Sequence, residues 1–277
     1  MKKQLLLLVL VYITITAVGQ NSIPNGGFET WNSSTYDYPQ NYPYNSISEL
    51  LSRGSVSNLF RTSDAHSGSS AVKLTTTAES PGYFLNKNPN KGDPTTWTGG
   101  ILYNQKPTGI SGYYKYNIVA DDGLIMVAFS KAGRNIGTYM YNIVGIQNAY
   151  KLFDFTFSPA LTEIPDSVAF GAVSTTHIND NTFVIGGTLY LDDVSFTGVP
   201  SQPALFNGGF ELWEQGHTPE ALANWYSNSE KLDVTSRTTD SYKGKYALVL
   251  KTYIGTNNQD QPSLQMGNAS TGYNNNK

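Results

Sequence analysis

Apolar and polar positions alternate with a period of two along much of the chain. Every second residue from Phe153 to Phe157 is a phenylalanine. Val168, Phe170 and Ala172 likewise fall on one face of the next apolar stretch. Because successive side chains of a strand point to opposite sides, this alternation predicts half-buried antiparallel β-strands.

The same pattern predicts further strands, which turn-forming sequences such as Asp121-Asp122-Gly123 and Lys131-Ala132-Gly133 separate. The best helical segment is short, Ile47 to Ser52. Many short strands and so little helix predict an all-β fold, a two-sheet antiparallel β-sandwich or jelly roll. The additional strand candidates are Ala71 to Thr76, Gly112 to Ile118, Leu124 to Ser130, Thr138 to Ile143 and Thr188 to Phe196.

A seven-residue sequence occurs twice and sets the domain organisation. Asn25–Trp31 reads Asn-Gly-Gly-Phe-Glu-Thr-Trp, and Asn207–Trp213 reads Asn-Gly-Gly-Phe-Glu-Leu-Trp; we call each an opening motif. A second block, Arg61–Leu74, aligns without gaps onto Arg237–Leu250, with Arg, Thr, Asp, Gly, Ala and Leu in common. Two blocks in the same order indicate a tandem domain repeat.

The repeat predicts four segments. Residues 1–20 form a signal peptide, 21–197 a first β-sandwich module, 198–206 a linker and 207–277 an incomplete second copy. We expect the first module to fold alone and the second piece not to. Either the chain is a fragment with further domains C-terminal to it, which we favour, or the second copy borrows strands from elsewhere.

The first residues have the order of a secretory signal. Met1-Lys2-Lys3 carry positive charge, Leu5 to Val11 are apolar, and Ala17-Val18-Gly19 are small. The apolar run is too short and too broken for a transmembrane anchor. The chain has no cysteine, so neither a disulfide framework nor a lipid-attachment thiol is present. These features predict a secreted protein.

Composition and charge narrow the partners and the chemistry. A formal net charge of -3 gives no reason to expect nucleic acid or anionic lipid. Nineteen tyrosines against three histidines favour a binding surface over proton-transfer chemistry. His66, His177 and His217 lie in unrelated surroundings, which argues against zinc. No Gly-x-Ser-x-Gly elbow or thiol nucleophile occurs, and we predict no catalytic residue.

Several segments together resemble a known group of domains. The opening motif, the middle segment Asp64–Leu74 and the closing segment Leu189–Phe196 resemble the calcium-containing jelly-roll carbohydrate-binding modules. Gly112–Tyr116 and Ile164–Val168 are similar to the PCMD group, a carbohydrate-metabolism domain of secreted proteins from type IX secretion systems and polysaccharide-using bacteria. The resemblance implies a protein in the medium or on the outer surface of a Gram-negative bacterium.

The resemblance also implies a structural calcium ion where the first and last strands meet. The matching positions are Glu29 and either Asp192 or Asp193. Period two places the two aspartates on opposite faces, so only one of them ligates unless a bulge intervenes, and we prefer Asp192. In the alternative interpretation Glu29 caps a turn and the aspartates are solvated strand-end residues.

Non-catalytic binding of a polysaccharide or other glycan is the function that this resemblance implies. Aromatic faces would stack on sugar rings, and our candidates are Trp97, Tyr103, Tyr114 and Tyr116. Their alternative role is packing at a sheet edge or in the core, the role that we assign to Trp31 and Trp213. A structural or adhesive spacer without a glycan ligand is the second function, and a domain of a glycan-degrading enzyme is the third.

Overall fold

The computed structural model describes residues 23–52, 55–87, 94–118, 120–177, 182–204, 206–218, 220–227, 235–251 and 264–266. The predicted signal peptide lies outside these residues. No helix within the described ranges is long and apolar enough to cross a membrane.

The first repeat consists almost entirely of strands. One short helix, α1 (Ile47–Ser52), and a 3-10 turn at Pro94–Thr96 are the helical elements of its described residues. The strands are β1 (Trp31–Asn32), β2 (Thr35–Pro39), β3 (Tyr44–Asn45), β4 (Leu59–Thr62), β5 (Ala71–Thr75), β6 (Tyr83–Leu85), β7 (Ile101–Leu102), β8 (Gly109–Tyr116), β9 (Gly123–Lys131), β10 (Arg134–Ile143), β11 (Gln147–Thr156), β12 (Ser167–Val173) and β13 (Thr188–Thr197).

The second repeat contributes shorter strands. These are β14 (Trp213–His217), β15 (Ala221–Leu222), β16 (Trp225–Ser227), β17 (Thr235–Thr238), β18 (Ala247–Leu250) and β19 (Leu264–Met266). They form small two-stranded pairings: β16 with β19, β17 with β18, and two pairings with strands of the first repeat.

Two antiparallel sheets form the body of the first repeat. One has the order β10-β9-β12-β6-β3, with β7 paired to β12 as its sixth strand. The other has the order β11-β8-β13-β5-β4. The predicted two-sheet antiparallel β-sandwich is confirmed, and α1 has the predicted bounds. Strand β8 begins earlier than expected because Gly109 pairs with both Thr156 of β11 and Thr197 of β13.

The core lies between the two sheets and follows the predicted alternation. Phe153 and Phe157 are buried. Leu152, the residue before Phe153, is exposed. Strand β12 departs from this pattern, since all of its residues are buried. Its outer face is covered by a second apolar cluster that contains Leu85, Trp97, Leu124, Met126, Ala128, Ala169 and Val173.

The turn predicted at Lys131-Ala132-Gly133 joins β9 to β10. Lys131 pairs directly with Arg134, and both intervening residues have positive φ, 49° at Ala132 and 71° at Gly133. This is the left-handed geometry that matches the twist of a two-residue hairpin.

The opening strands are exchanged between the repeats. Strand β14 of the second repeat pairs with β2 of the first, and β1 of the first pairs with β15 of the second. The side chains of Phe206 and Phe210 are 3% and 0% exposed and belong to the core of the first repeat. The predicted module boundary near Thr197 therefore does not coincide with the end of the packed core.

Candidate functional site

Five side chains, alternately aromatic and basic, cross the outer face of the five-stranded sheet. Phe60 on β4 pairs with Lys73 on β5, which pairs with Tyr190 on β13, which pairs with Lys115 on β8. Tyr150 on the neighbouring edge strand β11 completes the series. We call these five residues the aromatic–lysine row. Cross-strand neighbours on one face lie close enough for direct side-chain contact.

Each lysine of the row lies between two rings. Lys73 Nζ is 5.5 Å from the ring centre of Phe60 and 5.7 Å from that of Tyr190. Lys115 Nζ is 4.4 Å from the ring centre of Tyr190 and 4.9 Å from that of Tyr150. Cation–π attraction of this kind contributes about 0.5–1 kcal/mol per contact at an exposed site. The contacts hold the five side chains in defined positions.

The two lysines differ in their ionic partners. Lys115 forms a salt bridge with Asp64, and its side chain is only 13% exposed. Lys73 has no carboxylate partner among the described residues, so its charge is available to a ligand. Tyr150 donates a hydrogen bond from its hydroxyl to the Asp64 carbonyl at 2.6 Å, which fixes the edge of the row. Burial raises the pKa of Tyr150 well above the ordinary tyrosine value.

A cleft of about 310 Å³ opens beside the row. Its lining combines the two basic groups with amides and hydroxyls, and none of the lining residues within the described ranges is acidic. The residues that line it are Lys73, Lys115, Tyr116, Asn117, Gln147, Asn148, Thr188 and Tyr190. Such a surface can donate several hydrogen bonds to a polar ligand and offers an aromatic ring beside them.

A second aromatic group lies near the cleft. The imidazole of His66 stacks on Tyr113 with a centroid distance of 3.4 Å and an interplanar angle of 11°. His66 Nδ1 is 2.7 Å from Asp193 Oδ2, and about a third of each side chain is exposed. Tyr150 meets the same imidazole edge-on at 5.8 Å.

All four predicted sugar-stacking residues are buried, and their assignment is corrected to core packing. Tyr103, Tyr114 and Tyr116 are 4%, 8% and 1% exposed and belong to the core between the sheets. Trp97 is 8% exposed and packs on the outer face of the six-stranded sheet. None presents a ring face to solvent, although Tyr116 contributes to the cleft wall.

Along β8 and β13 the residues of the observed site alternate with buried residues. Tyr113 and Lys115 alternate with the buried Tyr114 and Tyr116, and Tyr190 lies between buried Leu189 and Leu191. Period two separates the two sets but does not say which faces the core, because tyrosine suits either environment. The same ambiguity concealed Tyr150, whereas Phe60 and Lys73 become part of a site only through pairing with residues of other strands.

The predicted metal-ligating residues fall into two places. Asp192 and Asp193 both face the loop at residues 64–70, because a register shift between Asp192 and Ser195 interrupts the pairing of β13 with β8. Asp192 accepts hydrogen bonds from the backbone N–H groups of His66 at 2.7 Å and Ser67 at 3.1 Å. This register shift is a β-bulge, the exception that allows both aspartates to face the same loop.

Glu29 has different partners. It accepts hydrogen bonds from the backbone N–H groups of Lys245 and Tyr246, at 3.0 and 3.3 Å from Oε1, in the second repeat. The residue that reaches the loop next to Asp192 is instead Glu211, which accepts from Ser69 and Ser70. The predicted pairing of Glu29 with Asp192 is therefore corrected.

Calcium would need six to eight oxygen ligands. The carboxylates of Asp192 and Glu211 are directed at N–H donors, and the described residues contain no group of three or more His, Cys, Asp or Glu that could hold a metal ion. Burial is the main cause that raises the pKa of Asp192. The arrangement does not fit the predicted calcium site, and no part of the function below depends on it.

Comparisons with known proteins rest on structure alone. No family model matches the sequence. No curated protein matches it.

The solved structures similar to this chain include glycoside-hydrolase-like proteins and carbohydrate-binding modules. A proposed glycoside hydrolase from Bacteroides thetaiotaomicron has a TM-score of 0.41 and 14% identity over 56% of this chain, which spans 62% of the length of that protein. A second, from Bacteroides vulgatus, has a TM-score of 0.41 and 13% identity over 61% of this chain and 96% of that chain. A family 16 carbohydrate-binding module has a TM-score of 0.32 and 12% identity over 50% of this chain and 85% of that chain. At these values no ligand or activity is transferred from them.

Proposed function

We propose that the chain binds glycans without catalysis, through the cleft beside the aromatic–lysine row. The observation that carries this proposal is the placement of Tyr190 between Lys73 and Lys115 on the wall of a polar cleft. An aromatic ring beside fixed hydrogen-bond donors suits a sugar, which has an apolar ring face and hydroxyl groups around its edge.

Acidic glycans fit the cleft best. Two ammonium groups and no carboxylate are among the described residues that line it, so a uronate or sulfate group would meet positive charge there. Lys73, which has no carboxylate partner among the described residues, is the principal contact, since Lys115 already pairs with Asp64. A charge-assisted hydrogen bond to such a group is worth about 1.5–3 kcal/mol.

Binding without hydrolysis is favoured by the composition of the cleft. Hydrolysis of a glycosidic bond uses a pair of carboxyl groups about 5–10 Å apart on either side of the bond. The residues lining the cleft that the structure describes supply none. A spacer role remains the second candidate, and the exchange of opening strands between repeats favours it, because such contacts fix neighbouring modules to one another.

The cellular location is part of the proposal. The signal-like order of residues 1–20 and the lack of cysteine support export, and we place the protein in the extracellular space or on an outer cell surface.

A glycan array that contains neutral, uronic-acid and sulfated polysaccharides tests the function. Intact protein should bind acidic members, and Tyr190→Ala should lose at least tenfold in affinity by calorimetry. Tyr242→Ala is the matched control, because Tyr242 is a fully exposed tyrosine of the second repeat and should leave affinity unchanged. Equal binding by both variants would reject the proposed cleft. No binding to any glycan would reject the proposed function.

A further inference from the structure

The two opening motifs adopt the same unusual backbone conformation. Asn25 and Asn207 have φ values of 50° and 42°, and Phe28 and Phe210 have 59° and 48°. Positive φ is uncommon for phenylalanine, so the surrounding contacts must hold it. A conformation repeated at both sites indicates that the motif is a defined structural unit.

The side chains within each motif make matching internal contacts. Asn25 Nδ2 donates to the Thr30 carbonyl at 2.8 Å, and Asn207 Nδ2 donates to the Leu212 carbonyl at 2.8 Å. Each motif also ends on a tryptophan whose Nε1 donates to the carbonyl of the motif phenylalanine, at 2.7 Å in the first motif and 2.5 Å in the second. The invariant Asn, Phe and Trp of the repeat are explained by this internal network.

Each motif carboxylate binds a glycine loop of the other repeat. Glu211 accepts from Ser69 N at 2.9 Å and Ser70 N at 3.1 Å in the first repeat. Glu29 accepts from the corresponding loop of the second repeat. A Cβ atom on Gly68 would lie 2.1 Å from Glu211 Oε1, and one on Gly244 would lie 2.1 Å from Glu29 Oε1. Glycine is therefore required at both loops for the carboxylate to approach, and we call each loop a socket.

The motif phenylalanine completes the apolar contact. Phe210 is fully buried against Tyr42 and Phe84, with ring centres 6.0 and 5.4 Å away. Phe28 is half-buried, and its ring lies 5.9 Å from that of Trp225 in the second repeat. At both sites the glycine loop binds the motif carboxylate and an aromatic side chain of the same repeat contacts the motif phenylalanine. From here on, socket means the loop together with these aromatic side chains.

Strand pairing explains why the motifs exchange. Strand β14 forms five consecutive pairs with β2, from Trp213 with Pro39 to His217 with Thr35. In the first repeat the equivalent of β14 is 31–35, which runs directly into β2. If this segment folded back on β2 of its own repeat, Ser34 to Tyr36 would have to form the turn. The last two of the five pairs could then not form. Exchange preserves the whole ladder.

We propose that each socket is a peptide-binding site for an Asn-Gly-Gly-Phe-Glu-x-Trp motif from a different repeat, and that it accepts this motif from a second copy of the chain as well as from its own. The contacts described above involve the motif, the glycine loop, the aromatic side chains around the motif phenylalanine and the strand that pairs with the end of the motif. Two equivalent sockets and two equivalent motifs make the partners interchangeable.

Engineered cysteines in the otherwise cysteine-free chain test the exchange. Asp37 and Gln215 are exposed and directly opposite in the ladder, and opposite Cα atoms of antiparallel strands are about 4.5–5.5 Å apart, within disulfide range. Asp37→Cys with Gln215→Cys should oxidise almost completely to a disulfide within one chain. The matched control is Ser33→Cys with Asp37→Cys, which pairs only if the motif folds back on its own repeat, and it should stay reduced. The opposite result would overturn the exchange.

Binding in trans is tested with a fluorescent peptide that has the sequence of residues 207–217. Its partner is the full chain carrying Phe210→Ala and Glu211→Gln, with circular dichroism used to verify folding. Saturable binding by fluorescence anisotropy is expected, and a peptide with the same two substitutions should bind at least tenfold more weakly. If the variant does not fold, mixing full chains that carry Asp37→Cys or Gln215→Cys singly provides the test, with disulfide-linked heterodimers as the expected product. No saturable binding by a folded variant, or no heterodimer, would overturn the trans site.

Discussion

Glu211 accepts a hydrogen bond from the backbone N–H of Ser69 at 2.9 Å, although the two residues are 142 positions apart and belong to different repeats. A second bond links Glu211 Oε2 to the Ser69 hydroxyl at 2.6 Å. Through this contact the start of the second repeat becomes part of the first sandwich. The first three predictions below follow from it.

The first prediction concerns where the first module ends. A chain that stops at Thr197 lacks Phe206 and Phe210, each of which buries an aromatic side chain worth about 1.5–3 kcal/mol. We expect its melting temperature to lie well below that of a chain that stops at Thr218. Equal melting temperatures by circular dichroism would restore the boundary predicted from the repeat spacing.

The two motif phenylalanines should differ in their effect on stability. Phe210→Ala empties a fully buried site and should lower the free energy of unfolding by about 3–5 kcal/mol. Phe28→Ala removes a half-buried ring and should have a clearly smaller effect. Urea titration of the full chain measures both. A larger loss for Phe28→Ala would contradict the observed packing.

The contact also predicts a pH dependence. The side-chain hydrogen bond from Ser69, together with the backbone N–H groups, lowers the pKa of Glu211. A lowered folded-state pKa contributes stability that is present above the unfolded value and is lost as the pH falls through the folded value. Glu211→Gln should therefore flatten the decline in melting temperature on acidification below about pH 4.5.

Asp192 supplies the contrast, because burial raises its pKa. Its contribution has the opposite sign: it is present at low pH and is lost as the pH rises through the raised folded-state value. Asp192→Asn should then steepen the acid side of the profile that Glu211→Gln flattens. The same change in slope for both variants would contradict these assignments.

Calcium titration tests whether this arrangement holds a metal. The carboxylates of Asp192 and Glu211 are directed at backbone N–H donors, so the melting temperature should be the same in chelator and in millimolar calcium. A bound calcium ion, with free calcium at ~100 times its dissociation constant, would instead contribute about 2.7 kcal/mol. A rise in melting temperature with calcium that vanishes in Glu211→Gln and persists in Glu29→Gln would contradict this expectation.

Lys73 should control the affinity for acidic glycans. Lys73→Met removes the unpaired ammonium group of the cleft and should weaken binding of a uronate or sulfated glycan about tenfold or more. It should also reduce the salt dependence of binding over an about tenfold range of NaCl concentration, across which the Debye length shortens roughly threefold. Lys243→Met in the second repeat, which is exposed and outside the cleft, is the control. Equal losses for both would indicate non-specific charge attraction.

The sandwich could be predicted from the sequence, because period-two alternation and turn residues are local properties of the chain. The helix at Ile47–Ser52 and the turn at Ala132-Gly133 form as predicted. The repeat was also visible in the sequence, as was the possibility that one copy takes strands from elsewhere. These features depend only on neighbouring residues or on comparison of the chain with itself.

Which faces are covered, and which repeat each motif completes, depends on how distant segments pack together. Tyr114 and Trp97 are buried because other segments pack over them, while Tyr190 remains at a cleft. Glu29 and Glu211 have the same local sequence, so nothing nearby distinguishes their partners. Their exchange depends on pairing between strands that are far apart in the chain, which local patterns do not encode.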